Sequence, residues 1–254
     1  MSLFRSPASA IAALSVLALS GSAFAQTAPK PTTAPAPRQP ATLGAAPTAR
    51  APAAAAAATA GDYDIRGFRS AVFGMPQSSV RSAIAADFGV ATAGKITEAT
   101  NPAEGTTALQ TTVDRLEPGP GPAQVTYIFG AASKTLIQVN VIWTLAGEPN
   151  AAQRDTVFSA GLQLANYFQT LPTPPKALGG VSPTGPNGLL MYAATDKKGA
   201  AIQVTADGIS YQATGTTDNK RIDSPPPTGP SILRVAYILN SANPDIFRIK
   251  PGAF

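Results

Sequence analysis

The sequence predicts an α+β fold in which helices back an antiparallel sheet, and three observations support this class. Two segments show the apolar spacing of helices, several show the alternation of strands, and turn-rich segments separate them. Each helical segment precedes a run of strands. We therefore expect two tandem helix-plus-meander units within one domain, residues 62–254, with halves at residues 62–147 and 148–254.

The first 61 residues are predicted to precede this domain. Residues 1–25 place Arg5 before an apolar run and end in a small-x-small pattern, the order typical of a secretory signal peptide, with an uncleaved anchor as the alternative. Residues 26–61 are rich in Ala and Pro and contain no acidic or aromatic residue, which predicts a disordered spacer. We expect a periplasmic or secreted protein without an integral membrane span after signal cleavage.

The domain is predicted to begin with an extended segment that leads into a helix. Pro76 suits the first turn of that helix, because a first-turn residue needs no backbone donor, and Gly89 suits its end. One apolar stripe follows helical spacing: Val80, Ala83, Ile84 and Phe88.

Three strands are predicted next, at residues 107–115, 123–129 and 135–144. In the third, apolar and amide side chains alternate, which is typical of a sheet that packs on one face and meets water on the other. The apolar side carries Ile137, Val139, Val141 and Trp143, and the solvent-facing side carries Gln138 and Asn140. Trp143 is therefore expected in the core.

A second helix is predicted at residues 150–171, where Asn150 and Gln153 have the spacing of a capping box. Strands are predicted after it at residues 189–194, 200–206, 209–213 and 232–239. The dipeptide Asp207-Gly208 lies between two alternating runs and predicts a hairpin that pairs residues 200–206 with residues 209–213.

The basic excess of the chain lies mostly outside the predicted domain. The chain has 19 basic and 14 acidic residues, and Arg5, Lys30, Arg38 and Arg50 precede Asp62, whereas all acidic residues follow Gly61. The domain is therefore nearly neutral and lacks the positive surface that phosphate backbones require. We expect no nucleic-acid partner.

Two missing residue types limit the chemistry that the chain can perform. It contains no His and no Cys, so Ser-His-Asp and Cys-His catalysis, imidazole zinc sites and disulfides are excluded. No nucleotide-binding or nucleophile motif is present either. We expect no cofactor, no metal site and no enzymatic activity.

One segment carries a resemblance to a known group of exported proteins. Residues 73–81, FGMPQSSVR, followed by a helix and a meander, resemble the small outer-membrane assembly lipoprotein (SmpA/BamE) and β-lactamase-inhibitor-protein group. The resemblance implies a helix-backed antiparallel sheet that binds proteins without catalysis. This chain lacks the lipidated cysteine of the former and the disulfides of the latter, so no functional residue is transferred.

The predicted outward sheet face offers an uncharged, amide-rich surface. Its candidate binding residues are Gln138, Asn140, Gln203, Gln212 and Arg234, with Gln124, Thr126, Thr205 and Ser210 beside them. Ordinary solvation of an antiparallel sheet is the simpler interpretation. The functional interpretation is a non-enzymatic envelope protein that binds another protein or a cell-wall glycan through this face. The alternative is a carboxylate-dependent hydrolase of envelope glycan. Asp218 and Asp223 are the acid pair considered for such chemistry, and an ordinary charged loop is the simpler interpretation of these two residues.

Overall fold

The computed structural model describes residues 63–171, 181–214 and 221–248, and its first elements are two short strands and two helices. These are β1 (Gly67–Phe68), β2 (Ala71–Val72), α1 (Gln77–Phe88) and α2 (Val90–Ala93). The two strands pair as a hairpin. Helix α1 follows Pro76 and ends at Gly89, whose φ of 84° favours glycine, as the sequence predicts.

Most of the remaining chain forms one large sheet. The elements are, in chain order, β3 (Thr97–Asn101), β4 (Thr106–Val113), β5 (Ala123–Phe129), β6 (Leu136–Leu145), α3 (Ala151–Thr170), β7 (Ser182–Gly185), β8 (Gly188–Thr195), β9 (Ala201–Asp207), β10 (Gln212–Thr214), β11 (Arg221–Asp223) and β12 (Ser231–Ile238). Eight strands form an antiparallel sheet in the order β3-β4-β5-β6-β12-β9-β8-β7. The predicted α+β class is confirmed, and both halves of the chain join one sheet where β6 pairs with β12.

One face of this sheet, the helix face, packs against α1 and α3. Alternate residues of the strands enter a single buried cluster together with the apolar stripes of the two helices. Its members include Val80 and Ile84 of α1, Val139 and Val141 of β6, Val157 and Phe168 of α3, and Leu233 and Val235 of β12. Trp143 is 2% exposed and donates from Nε1 to the Leu116 carbonyl at 2.9 Å, so its predicted core position is confirmed.

Helix α3 begins with the predicted capping box. The Asn150 side chain accepts from the Gln153 amide at 3.0 Å, and the Gln153 side chain accepts from the Asn150 amide at 2.9 Å. Two of the backbone donors at the helix N-terminus are satisfied in this way.

A buried arginine joins the start of α3 to two later segments. Arg154 is 5% exposed, and its guanidinium donates to the backbone carbonyls of Pro149 at 2.9 Å, Gly208 at 2.6 Å and Gly229 at 2.9 Å. It therefore fixes the exit of β9 and the approach to β12 against the helix.

A buried carboxylate ties the first described residues to the turn between β8 and β9. Asp196 accepts from the backbone amides of Ile65 at 3.0 Å, Lys198 at 2.9 Å and Ala200 at 2.9 Å. Asp196 is only 5% exposed, so its carboxylate loses most of its hydration on folding. The three backbone hydrogen bonds compensate for that loss.

The segment after β12 folds back along the end of the sheet and is held by Asp245. That carboxylate accepts from the amides of Ala132 at 3.0 Å and Ser133 at 2.9 Å in the β5–β6 turn. Hydrogen bonding, first from the Ser133 side chain and then from the turn backbone, lowers the pKa of Asp245 below its ordinary value.

The predicted Asp207-Gly208 hairpin is wrong. Strand β9 pairs with β8 and β12, whereas β10 pairs with β11 in a separate two-stranded sheet. Gly208 does have a positive φ of 66°, but a Cβ at this position would lie 2.1 Å from the Pro230 carbonyl. The glycine thus permits close approach of the segment before β12.

The predicted signal peptide (residues 1–25) and spacer (residues 26–61) lie outside the described residues. Within the part of the chain that the structure describes, no helix is long and apolar enough to cross a membrane. The same part contains no group of three or more carboxylates that could hold a metal ion.

Candidate functional site

The sheet face opposite the helices is termed the open face. Strand alternation and register place the following side chains there: Thr97, Ala99, Asn101, Ala108, Gln110, Thr112, Gln124, Thr126, Ile128, Gln138, Asn140, Ile142, Thr144, Ser182, Leu190, Ala193, Thr195, Ala201, Gln203, Thr205, Asp207, Ile232, Arg234, Ala236 and Ile238. Among these described residues only Arg234 and Asp207 are charged, and none is aromatic. The surface is therefore a mixture of amides, hydroxyls and aliphatic groups around two opposite charges.

Four of the five predicted binding residues share this face. Gln138 and Asn140 lie on β6, Gln203 on β9 and Arg234 on β12, so three adjacent strands carry them. The fifth, Gln212, lies on β10 in the separate two-stranded sheet and does not belong to the open face. Its predicted position depended on the hairpin that does not form.

The predicted residues are joined by a hydrogen-bond network along β6 and β12. Asn140 Oδ1 accepts from Gln138 Nε2 at 2.9 Å and from Arg234 Nη2 at 3.1 Å. Gln138 is 2% exposed, so it donates to Asn140 but is not itself accessible to a partner, whereas Asn140 and Arg234 are half-buried. The accessible polar centre of the face is therefore the Asn140–Arg234 pair.

Arg234 lies on a central strand with aliphatic and hydroxyl neighbours. Its cross-strand partners are Ile142 on β6 and Thr205 on β9. Burial lowers the pKa of the Arg234 guanidinium from its ordinary value and nearby Asp207 raises it, but an arginine remains charged in proteins. Within the described chain the Arg234 Nε is buried without a hydrogen-bond partner.

Asp207 is the charged residue of this face that sequence reasoning missed. It ends β9, where the dipeptide Asp207-Gly208 was interpreted as a turn, although continued alternation from Gln203 and Thr205 places Asp207 on the same face. Its Oδ1 atom lies over Gly188, 2.6 Å from where a Cβ would be. Desolvation raises the pKa of Asp207, and Arg234 lowers it.

A cavity of about 240 Å³ lies at one end of the open face. Gln138 and Ile238 of the face line it, together with Lys198 and residues 239, 240 and 243–245 of the segment after β12. The Gln138 end of the hydrogen-bond network therefore lies beneath a concave rim.

The carboxylates outside the open face mostly stabilise the fold. Asp196 and Asp245 cap backbone segments, and Asp87 accepts from both the amide and the hydroxyl of Ser70 at 3.1 and 2.7 Å. Of the acid pair predicted for a hydrolase, Asp223 lies on β11 and Asp218 lies outside the described residues.

Comparison with protein-family models, curated proteins and solved structures found no match to this chain. The resemblance of residues 73–81 to the outer-membrane assembly and inhibitor group stays a prediction.

Proposed function

We propose that this chain is an exported, non-enzymatic cell-envelope protein that binds another protein through the open face. The observation that carries the proposal is the composition of that face: uncharged polar and aliphatic side chains surround the half-buried Arg234. Protein interfaces are depleted of charge at their core and enriched in arginine, and their strongest contacts lie centrally within a ring of near-neutral ones. Export is supported by the signal pattern at residues 1–25.

A protein partner fits this face better than a cell-wall glycan. Sugar rings are commonly held by stacking on aromatic side chains, and the open face of the described strands carries none. The aromatic residues of the central strands, Tyr127, Trp143, Tyr192 and Tyr237, instead belong to the helix face or pack against its core. Aliphatic groups such as Ile142 are better matched by apolar side chains of a protein.

Site-specific photocrosslinking in the cell envelope tests this proposal. A photoreactive amino acid replaces Gln203 on the open face or, as the matched control, Gln163, which is exposed on α3. We expect one protein to crosslink from Gln203 and not from Gln163. The wild-type chain should capture that protein by affinity, and the Gln203→Lys chain should not. Equal crosslinking from both positions would refute binding through the open face.

The retained alternative, a carboxylate-dependent glycan hydrolase, predicts turnover that depends on a pair of acids. Release of soluble fragments from purified envelope glycan by the full chain, lost in Asp223→Asn, would favour it over the binding proposal. Because Asp223 lies on β11, in the separate two-stranded sheet, that variant should leave the open face intact.

A further inference from the structure

Arg234 is the one cation among the described residues of the open face, and its hydrogen-bonding capacity is mostly unused. A guanidinium has five N–H donors. Nη2 donates to Asn140 Oδ1 at 3.1 Å, and that oxygen already accepts from Gln138 Nε2 at 2.9 Å. In the described chain no acceptor meets Nε, which is fully buried.

Within the described residues no carboxylate forms an ion pair with this guanidinium, and Asp207 acts on it only at longer range. Asp207, the nearest acid on the face, forms no ion pair with Arg234 within 4.0 Å, because it lies diagonally across β9 and β12, opposite Ile232. Its Oδ1 atom instead approaches Gly188 and Thr184 on the side towards β7. Buried parts of charged side chains usually have a partner, and the buried Nε of Arg234 has none within the described residues, so an anion supplied by a partner would complete this site.

The chemistry of the face selects a single carboxylate. Carboxylates match the planar fork of a guanidinium in two parallel hydrogen bonds, and such pairs are among the stronger polar contacts. A polyanion fits poorly, since Asp207 repels a second negative charge near Arg234. Ile142 and Thr205, which flank Arg234, would exclude water from the pair between the guanidinium and a single carboxylate, and this exclusion strengthens the pair.

We propose that the protein partner presents one aspartate or glutamate side chain, among uncharged neighbours, to the Arg234 guanidinium on the side of Asn140. This inference rests on the proposed function, because it names the chemistry by which the open face recognises its partner. The carboxylate accepts from Nη1 and from the second N–H of Nη2, while the first N–H of Nη2 donates to Asn140, which holds the guanidinium in position.

The test selects binders from a random peptide library, with peptides of about a dozen residues, against the full chain. Synthetic copies of the enriched peptides are then measured against wild type, Arg234→Met, Gln203→Lys and the matched control Arg115→Met. Arg234→Met keeps an apolar stem and removes the charge, and Arg115 is an exposed arginine away from the open face, with a side chain that is 86% exposed.

We expect enriched peptides to share one Asp or Glu at a fixed position. Arg234→Met should weaken them about tenfold or more, Asp→Asn in the peptide should do the same, and the two changes together should cost little more than either alone. Arg115→Met should leave affinity unchanged. Circular dichroism and thermal unfolding should show Arg234→Met folded and no less stable, because it removes a partly buried charge that has no ion-pair partner in the described chain.

The failures of the two proposals give different results. One outcome is a set of peptides that contain no Asp or Glu, that lose affinity for Gln203→Lys and that bind Arg234→Met as tightly as wild type. This outcome would overturn the carboxylate inference and leave the binding function standing. If no peptide is sensitive to Gln203→Lys, the proposed function itself fails. Sedimentation of the full chain that shows self-association lost in Arg234→Met would assign the carboxylate to a second copy, and tight binding of polyglutamate would indicate a general anion surface; both overturn the inference.

Discussion

Replacing Arg154 by alanine should destabilise the fold more than any other single change to a described arginine. The side chain is 5% exposed and donates to three backbone carbonyls, those of Pro149, Gly208 and Gly229. A fourth contact, from Nη2 to Glu148 at 3.4 Å, is a weak ion pair, because the side chain of Glu148 is 70% exposed.

The expected cost follows from the acceptors that lose their donor. A backbone acceptor left unsatisfied costs about 1–3 kcal/mol, with the upper end reserved for full burial. Gly208 and Gly229 are half-buried, so water can reach their carbonyls in the variant, and the lower end applies. Pro149 is buried, so its carbonyl falls towards the upper end, and the three acceptors together predict a loss of roughly 3–5 kcal/mol in the free energy of unfolding.

Urea unfolding followed by circular dichroism measures this loss. Arg154→Met, which keeps the apolar stem, should lose nearly as much as Arg154→Ala, and Arg154→Lys should recover part of it through one or two hydrogen bonds. The control is Arg115→Ala, whose exposed pair with Glu117 should be worth less than about 1 kcal/mol. A loss below about 1 kcal/mol for Arg154→Ala would refute the reasoning from unsatisfied carbonyls.

Three further changes test other parts of the fold. Asp196→Ala removes the acceptor of three backbone amides and should lower the free energy of unfolding by about 2–4 kcal/mol, with faster amide exchange at the first described residues. Hydrogen bonding lowers the folded-state pKa of Asp245, so its contribution, at most about 1 kcal/mol, should be present above the unfolded pKa and lost as pH falls through the folded value. In acid titrations the stability gap between wild type and Asp245→Asn should therefore close below the ordinary aspartate pKa. Gly119→Ala would place a Cβ 2.2 Å from the Trp143 ring and should cost about 1–3 kcal/mol with a shift in tryptophan fluorescence, whereas Gly185→Ala, which meets no atom within 4 Å, should unfold like wild type.

Local patterns predicted the elements whose signals lie within one segment. The alternation around Trp143 and the capping pair of Asn150 and Gln153 are confirmed, because side-chain direction in a strand and capping at a helix start depend on neighbouring residues. The same alternation predicted correctly that Gln138 and Asn140 lie on one face. It could not predict that Gln138 is buried, because the cavity beside Gln138 is lined by residues 239, 240 and 243–245, which are distant along the chain.

Strand pairing between distant segments was beyond those patterns. Asp207-Gly208 has hairpin chemistry, yet the edge of β9 that a hairpin would occupy is taken by β12, and this error misplaced Gln212. The candidate site was therefore predicted for four residues out of five. The missing information was which strands pair with β9. Local residue preferences do not determine that pairing, because the partner strands are distant along the chain.

Arg154 was missed although the sequence contained its signal. It lies three residues before the apolar Val157, at the spacing that puts two residues on the same side of a helix, and a charged residue on a buried side requires partners. The partners themselves, carbonyls of residues 208 and 229, could not be predicted, because they come from loops whose paths depend on the assembled sheet.

The central position of β12 has a consequence for how the chain reaches its native state. Asn140 on β6 and Arg234 on β12 are 94 residues apart along the chain, and β12 is the final strand of the described sheet to be synthesised. Until it arrives, β6 and β9 each present a row of unpaired backbone groups, which are templates for aggregation. Closure of such distant contacts is slow, so we expect the nascent protein to need protection of both edges until β12 is inserted between β6 and β9.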